Sequence, residues 1–442
     1  MGDAYYESAR YKKATELYQY VLDHWPDHGQ AMRAQKNVAK AKIALGDTEA
    51  AEAAFYNLLV DFSGHKDLPA AVRSIADSYR ESGRYQKARQ LYQFIMDRWP
   101  EDEGTIHAYK GLAMSNVGLG DDPRTTAAIK KLLADFSGHK GLPVAVRRIA
   151  DSYHETRRYE EAKELYQFVL DRWPEDAGAI HARKGVVISN VGLGDQPAAQ
   201  AALDKLIADF TGHVDLPLAV WRVAEVYYNQ AFRHENEGLD NKAKGYFAKV
   251  ISLGQAILQR WPASVSAAEI YLISAECYRR LGQYAKAIEY FQKVVDDWPD
   301  YKYACNAQCI IGECYEKLRN SGALPQSEAN PLIEQAYQAV IEKYPDCSLA
   351  GHAHLKLSQL SFEMGQLVDA VKYYELFLEN YPQDTRYSQT LYHLARTYEK
   401  MGELDRAVEI HRIFLEIAEP GDRRIKTVQA RLARLQAAQN DN

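Results

Sequence analysis

Cysteine is scarce in this sequence, and its placement is uneven. All five, Cys277, Cys305, Cys309, Cys314 and Cys347, lie in the second half of the 442 residues. A disulfide framework would not leave the first 276 residues bare, so the five read as small buried residues, most of them inside helical patterns. Long apolar runs are missing too. No stretch approaches the ~18 apolar residues of a membrane span, and the N-terminus shows no basic–apolar–small signal pattern. Charge of one sign is also lacking: the net charge is −6, which excludes the basic balance of a general nucleic-acid binder. A helix-borne zinc-protease motif, a phosphate-binding glycine loop and a nucleophile elbow are all absent. The sequence therefore predicts no enzyme, no catalytic residue, no cofactor and no metal.

What is present is apolar surface and repetition. At 47% apolar and 26% charged residues the chain has enough to bury and is not disordered. It is longer than the ~250–300 residues at which one compact core stops growing, so it must divide or extend in one dimension. Asp61-Phe-Ser-Gly-His-Lys-Asp-Leu-Pro69 returns as Asp135-Phe-Ser-Gly-His-Lys-Gly-Leu-Pro143 and as Asp209-Phe-Thr-Gly-His-Val-Asp-Leu-Pro217, each time after 74 residues. Asp23-His-Trp-Pro26, Asp97-Arg-Trp-Pro100 and Asp171-Arg-Trp-Pro174 keep the same interval. The unit is a 74-residue pair of unlike 37-residue halves.

Each half reads as two helices. Pro69 suits a first helical position, where its missing N–H is no loss. Val72, Ile75, Ala76 and Tyr79 then line one face. Gly83 supplies a left-handed stop. Tyr85, Ala88, Leu91, Tyr92 and Ile95 form a second apolar stripe, ended by Trp99-Pro100. His65, His139 and His213 recur in the Gly-His-x-x-Leu-Pro linker and read as local capping residues. Cys305, Cys309 and Cys314 approach metal-ligand spacing, but Cys314 stands where Cys277, Ser78 and Ser152 stand, a position that asks only for a small side chain.

The order Val72, Ile75-Ala76, Tyr79, Gly83, Tyr85, Ala88, Tyr92, Pro100 resembles the tetratricopeptide repeat, and Tyr271, Ser274-Ala275, Tyr278, Gly282, Tyr284, Ala287, Phe291, Pro299 fits it best. In Val146 to Pro174, Arg157 replaces the turn glycine, so that turn is expected to be reshaped. The resemblance implies an all-α, right-handed superhelical solenoid of antiparallel helix pairs, about eleven repeats plus a C-terminal capping helix. The Tyr-Pro and Trp-Pro endings are most similar to bacterial envelope members of the family, such as outer-membrane assembly lipoproteins. That likeness implies a soluble chain of the bacterial cytoplasm or the periplasm and envelope. The first repeat lacks most of its opening helix, so truncation upstream is expected.

The expected organisation is a regular array over 1–217, a divergent array over 218–419, and a capping helix with tail over 420–442. Insertions fall near 229–242, read as lengthening two helices, and near 319–328, read as a loop. Ile425, Val428, Leu432 and Leu435 give the cap its apolar face.

The family resemblance also implies a groove lined by the first helix of each repeat, with the fifth repeat position facing the ligand. That position holds Lys36, Arg73, Lys110, Arg147 and Lys184, then Trp221. Asp77 and Asp151 follow the two arginines by four residues and can pair with them; Lys36, Lys110 and Lys184 face Lys40, Met114 and Ile188 instead. His107 and His181 stand beside the lysines. From Leu272 through Cys309, Leu355 and Tyr392 the position turns apolar. The expected partner is a protein or peptide, acidic with an apolar part, and not a nucleic acid. Two alternatives remain: the recognition region of a larger protein whose catalytic or membrane-anchoring part lies upstream, and a helical-repeat RNA reader.

Overall fold

The computed structural model describes residues 1–262 and 267–440, which form 23 helices and, among the described residues, no strand. Two compact units divide at Val226 and Tyr227. In the first, the helices are α1 (Gly2–Glu7), α2 (Tyr11–His24), α3 (Ala31–Leu45), α4 (Thr48–Asp61), α5 (Leu68–Glu81), α6 (Tyr85–Arg98), α7 (Thr105–Leu119), α8 (Asp122–Asp135), α9 (Leu142–Glu155), α10 (Tyr159–Arg172), α11 (Ala179–Leu193) and α12 (Gln196–Asp209). Helix α13 (Leu216–Asn236) crosses the division. The second unit continues with α14 (Asp240–Arg260), α15 (Ala267–Arg280), α16 (Tyr284–Asp297), α17 (Ala304–Asn320), α18 (Gln326–Lys343), α19 (Ala350–Glu363), α20 (Leu367–Asn380), α21 (Tyr387–Met401), α22 (Leu404–Ile417) and α23 (Arg424–Asn440). Residues 441–442 of the expected tail lie outside the described residues.

The periodic positions are the buried ones. Val72, Ile75 and Ala76 are fully buried on α5, and Ala88, Tyr92 and Ile95 on α6. Each such large side chain contributes about 1.5–3 kcal/mol by leaving water. Gly83 ends the first helix of the pair at φ 74°. Arg157 stands at the same point with φ 62°, so the expected reshaping does not occur. The turn keeps its left-handed residue and imposes it on an arginine, because packing on both sides fixes the chain path.

Within the first unit the packing alternates. Helix α6 packs broadly on α7, and α10 on α11, whereas α4 barely touches α5 and α8 barely touches α9. Two glycines lie in each of the broad contacts α6–α7 and α10–α11. A Cβ at Gly111 would lie 2.3 Å from the Tyr92 ring, and one at Gly118 would lie 2.6 Å from Tyr85. Gly185 and Gly192 stand in the same relation to Tyr166 and Tyr159. The rings of one pair lie flat on bare backbone of the next. The alternating 74-residue period is thus an alternation of close and loose contacts.

Helices α13 and α14 have 21 residues each, against 14 for α15 and α16. Around 319–328 the structure corrects the expectation of a simple loop. Only residues 321–325 leave the helices; Arg319 and Asn320 extend α17, and Gln326 to Glu328 open α18 behind Pro325. Val428 of α23 is fully buried against Leu391 and Phe414. Arg431 on the same helix pairs with Glu399 at 2.6 Å.

A second correction concerns cysteine. Cys305 and Cys347 form a disulfide across 42 residues, while Cys277, Cys309 and Cys314 are free and buried. The bridge joins the first residues of α17 to the turn before α19. These points are distant in sequence, and stacking of successive pairs brings them together.

Candidate functional site

In the first unit the first helices of successive pairs touch in order: α3 meets α5, α5 meets α7, α7 meets α9 and α9 meets α11. They form one continuous face and carry Lys36, Arg73, Lys110, Arg147 and Lys184, one per helix.

Three lysines recur in the same setting. The Tyr18 hydroxyl donates to Asp3 at 2.6 Å, Tyr92 to Asp77 at 2.6 Å, and Tyr166 to Asp151 at 2.7 Å. In each case the lysine of the following pair feels that aspartate's field. Lys36, Lys110 and Lys184 are half-buried, and all three ammonium groups titrate below the ordinary lysine value. Burial is the leading cause; neighbouring cations add to it, Lys40 and Arg33 for Lys36, Arg80 and Arg148 for Lys110, and Arg147 and Arg222 for Lys184. The aspartates oppose the shift without cancelling it.

The arginines behave otherwise. Arg73 donates to the Gly104 carbonyl at 3.3 Å, and a Cβ at Gly104 would strike its guanidinium. Arg147 pairs with Asp151 at 3.4 Å, and its side chain is 13% exposed. Both arginines therefore engage the repeat framework itself. His107 and His181 titrate below the ordinary histidine range, through burial first and then Lys110 and Lys184 respectively. Trp221 is 1% exposed, with its indole N–H unpartnered, so it offers no surface to a ligand. In the second unit, Leu272, Leu355 and Tyr392 are half-buried at the same repeat position, and Cys309 is buried.

The histidines of the linkers cap backbone. Nδ1 of His65, His139 and His213 accepts the N–H two residues on, at 3.2, 2.9 and 3.1 Å. The tyrosine–aspartate pairs are what sequence reasoning missed. Their signal was available, since Asp3/Tyr18, Asp77/Tyr92 and Asp151/Tyr166 share one spacing and the 74-residue period. Among the described residues, sulfur, nitrogen and oxygen donors close enough to share an ion occur only elsewhere, on α17 and α19.

Tetratricopeptide repeat models match residues 37–103, 269–301 with 352–384, and 390–425. Over those residues the chain carries tetratricopeptide repeats, modules that present extended surfaces to protein partners. No curated protein matches the sequence. Among solved structures, a tetratricopeptide repeat protein from Parabacteroides merdae is similar at 16% identity and TM-score 0.34, over 65% of this chain and 99% of that one. The P58(IPK) TPR domain shares 16% identity at TM-score 0.29, over 85% and 99%. Yeast Tom70 shares 12% at TM-score 0.34, over 99% and 95%. These superpositions are loose, and the repeat assignment rests on the family models and the helix-pair packing. No described helix is long and apolar enough to cross a membrane.

Proposed function

We propose that this chain is a non-catalytic scaffold that holds an acidic protein or peptide segment against the first-helix face of residues 1–226. The observation that carries the reading is the lysine series. Lys36, Lys110 and Lys184 are each half-buried, set among further cations and one tyrosine-bonded aspartate, and shifted away from the charged form. A carboxylate placed there would reverse the electrostatic part of that cost and gain a charge-assisted hydrogen bond, about 1.5–3 kcal/mol each. His107 and His181 add donors alongside. Within the second unit, Leu272, Leu355 and Tyr392 at the equivalent repeat position would suit an apolar segment instead. The Cys305–Cys347 bridge supports an oxidising compartment such as the bacterial periplasm, in keeping with the envelope-type repeat endings.

The test is reversal of charge. Lys36→Glu, Lys110→Glu and Lys184→Glu combined are expected to abolish partner capture from a native lysate while helicity and melting stay as in the unmodified chain. Recovery of the same partners by the triple variant would overturn the basic-face reading.

A further inference from the structure

The two units put different chemistry at three equivalent positions. In the first unit the fifth repeat position is an arginine, four residues on is an aspartate, and the second position of the next first helix is a histidine: Arg73, Asp77, His107, and again Arg147, Asp151, His181. The arginine charge sits among the other two groups. Arg147 lies 3.4 Å from Asp151, and Arg73 and Arg147 act on His107 and His181 respectively. In the second unit the same three positions are Cys309, Glu313 and His352. The fixed cation has become a thiol, while acid and imidazole remain.

The three side chains converge. Cys309 and Glu313 are four residues apart on α17, hence on one face, and His352 comes from α19. One donor atom of each lies within 4.8 Å of the others, with Glu313 Oε1 and His352 Nε2 4.0 Å apart. Cys309 is 2% exposed and forms the floor; Glu313 and His352 are half-buried and leave the group open toward solvent. The neutral imidazole is the form of histidine that binds a metal.

We propose that Cys309, Glu313 and His352 bind a divalent transition-metal ion of the zinc type, leaving a fourth position to water or to a partner's donor. One sulfur, one imidazole nitrogen and one carboxylate oxygen suit a borderline-soft, four-coordinate ion, and the thiol disfavours magnesium and calcium. Binding releases the Cys309 proton to solvent, since the thiolate is the ligand. With the metal on Nε2, the ring proton sits on Nδ1. The Arg386 guanidinium, 3.4 Å from Nδ1, then withdraws onto Asp384, to which it already donates at 2.6 and 2.8 Å. The metal replaces the positive charge that arginine supplies at these positions in the first unit. It also ties α17 to α19, close to the Cys305–Cys347 bridge.

The experiment uses the full chain with that bridge kept oxidised, and Co²⁺ as the probe. Titration should raise a thiolate-to-cobalt charge-transfer band with the visible bands of a four-coordinate ion, and Zn²⁺ should erase both. Cys309→Ser should remove the charge-transfer band, whereas Cys277→Ser and Cys314→Ser should leave it. Loss of even an outer partner weakens metal binding ~10–100-fold, so Glu313→Gln and His352→Ala should each weaken it at least tenfold. These two half-buried positions guard against a folding defect at Cys309, because their metal-free melting should match the unmodified chain. Absence of the band, its survival in Cys309→Ser, or unchanged affinity in both Glu313→Gln and His352→Ala would overturn the site.

Discussion

In the first unit, Tyr92 leans onto the next pair, where Gly111 leaves room, and its hydroxyl reaches back to Asp77. In the second unit the position of Gly111 is taken by Lys356, and the ring at the position of Tyr92, Tyr337, leans onto its own pair instead. There Gly312 replaces the Ala76 type, and a Cβ on it would lie 2.7 Å from the ring. The Tyr337 hydroxyl donates to Glu316 at 3.0 Å, and Lys356 pairs with the same carboxylate at 2.7 Å. The same aromatic layer is therefore seated by removing a side chain from either neighbouring helix. The position that is bare backbone at Gly111 thus carries, in the second unit, a lysine held in an ion pair with Glu316. Residues 1–226 repeat a half-buried lysine at Lys36, Lys110 and Lys184, whereas residues 227–442 place apolar side chains at that position and add a covalent tie.

That tie gives the largest expected difference between the units. Contacts in a repeat array are between neighbours, so its stabilisation is local. Replacing Cys305 and Cys347 by serine, with a bridged separation of 42 residues, should cost about 2–4 kcal/mol in the second unit. Amide exchange resolved by residue should show residues 227–442 opening more readily and residues 1–226 unchanged. Equal loosening in both would mean that the units do not respond separately.

The glycine argument comes next in size. Gly111→Ala should cost ~1–3 kcal/mol by overpacking against Tyr92, although alanine is the better helix former. Gly312→Ala should cost a comparable amount against Tyr337. Gly245, inside α14 with nothing within 4 Å of its Cβ position, provides the contrast: Gly245→Ala should stabilise by ~0.5–1 kcal/mol. Urea midpoints would separate the three. A neutral Gly111→Ala would show that the Tyr92 ring does not need bare backbone beneath it.

Arg157→Gly is expected to act in the opposite direction and more weakly. A left-handed non-glycine residue carries ~1–3 kcal/mol of strain, partly offset by the ~0.4–1 kcal/mol that glycine adds to unfolded-chain freedom. A gain of up to ~1 kcal/mol in the first unit should follow. The same change has no counterpart in the second unit, where Gly282, Gly365 and Gly402 already hold these turns.

Period and helix stripes were legible before any coordinates, because proline, glycine and apolar spacing act within a few residues of one another. Arg157 was misjudged because a turn's path is set by packing on both sides, which no single position reports. The Cys305–Cys347 pairing was illegible for a related reason: proximity across 42 residues depends on how successive pairs stack. On the candidate face, positions of the five cations could be read, but not their employment. Arg73 and Arg147 occupy equivalent repeat positions, each with an aspartate four residues on, yet Arg73 turns to the Gly104 carbonyl and Arg147 to Asp151.

The smallest expected effect is on acid stability. His107, His154 and His181 in the first unit, and His352, His354 and His393 in the second, all titrate below the ordinary histidine value of 6.5, with burial as the leading cause in each. A histidine whose folded value is lowered binds its proton more readily when unfolded. Its contribution is therefore complete above the unfolded value and is lost as pH falls through 6.5 toward the folded value. Both units should lose stability on that limb between about pH 8 and pH 5. His107→Gln, His154→Gln and His181→Gln combined should flatten the limb for residues 1–226 alone, read by residue-resolved amide exchange across the range. Lys110 and Lys184 contribute to the His107 and His181 shifts respectively, so Lys110→Met with Lys184→Met should raise both of these titrations toward the ordinary value, as followed by the ring-proton resonances. Unmoved resonances would show that burial alone holds the rings neutral, and that the lysines' field does not extend across the face as the binding proposal requires.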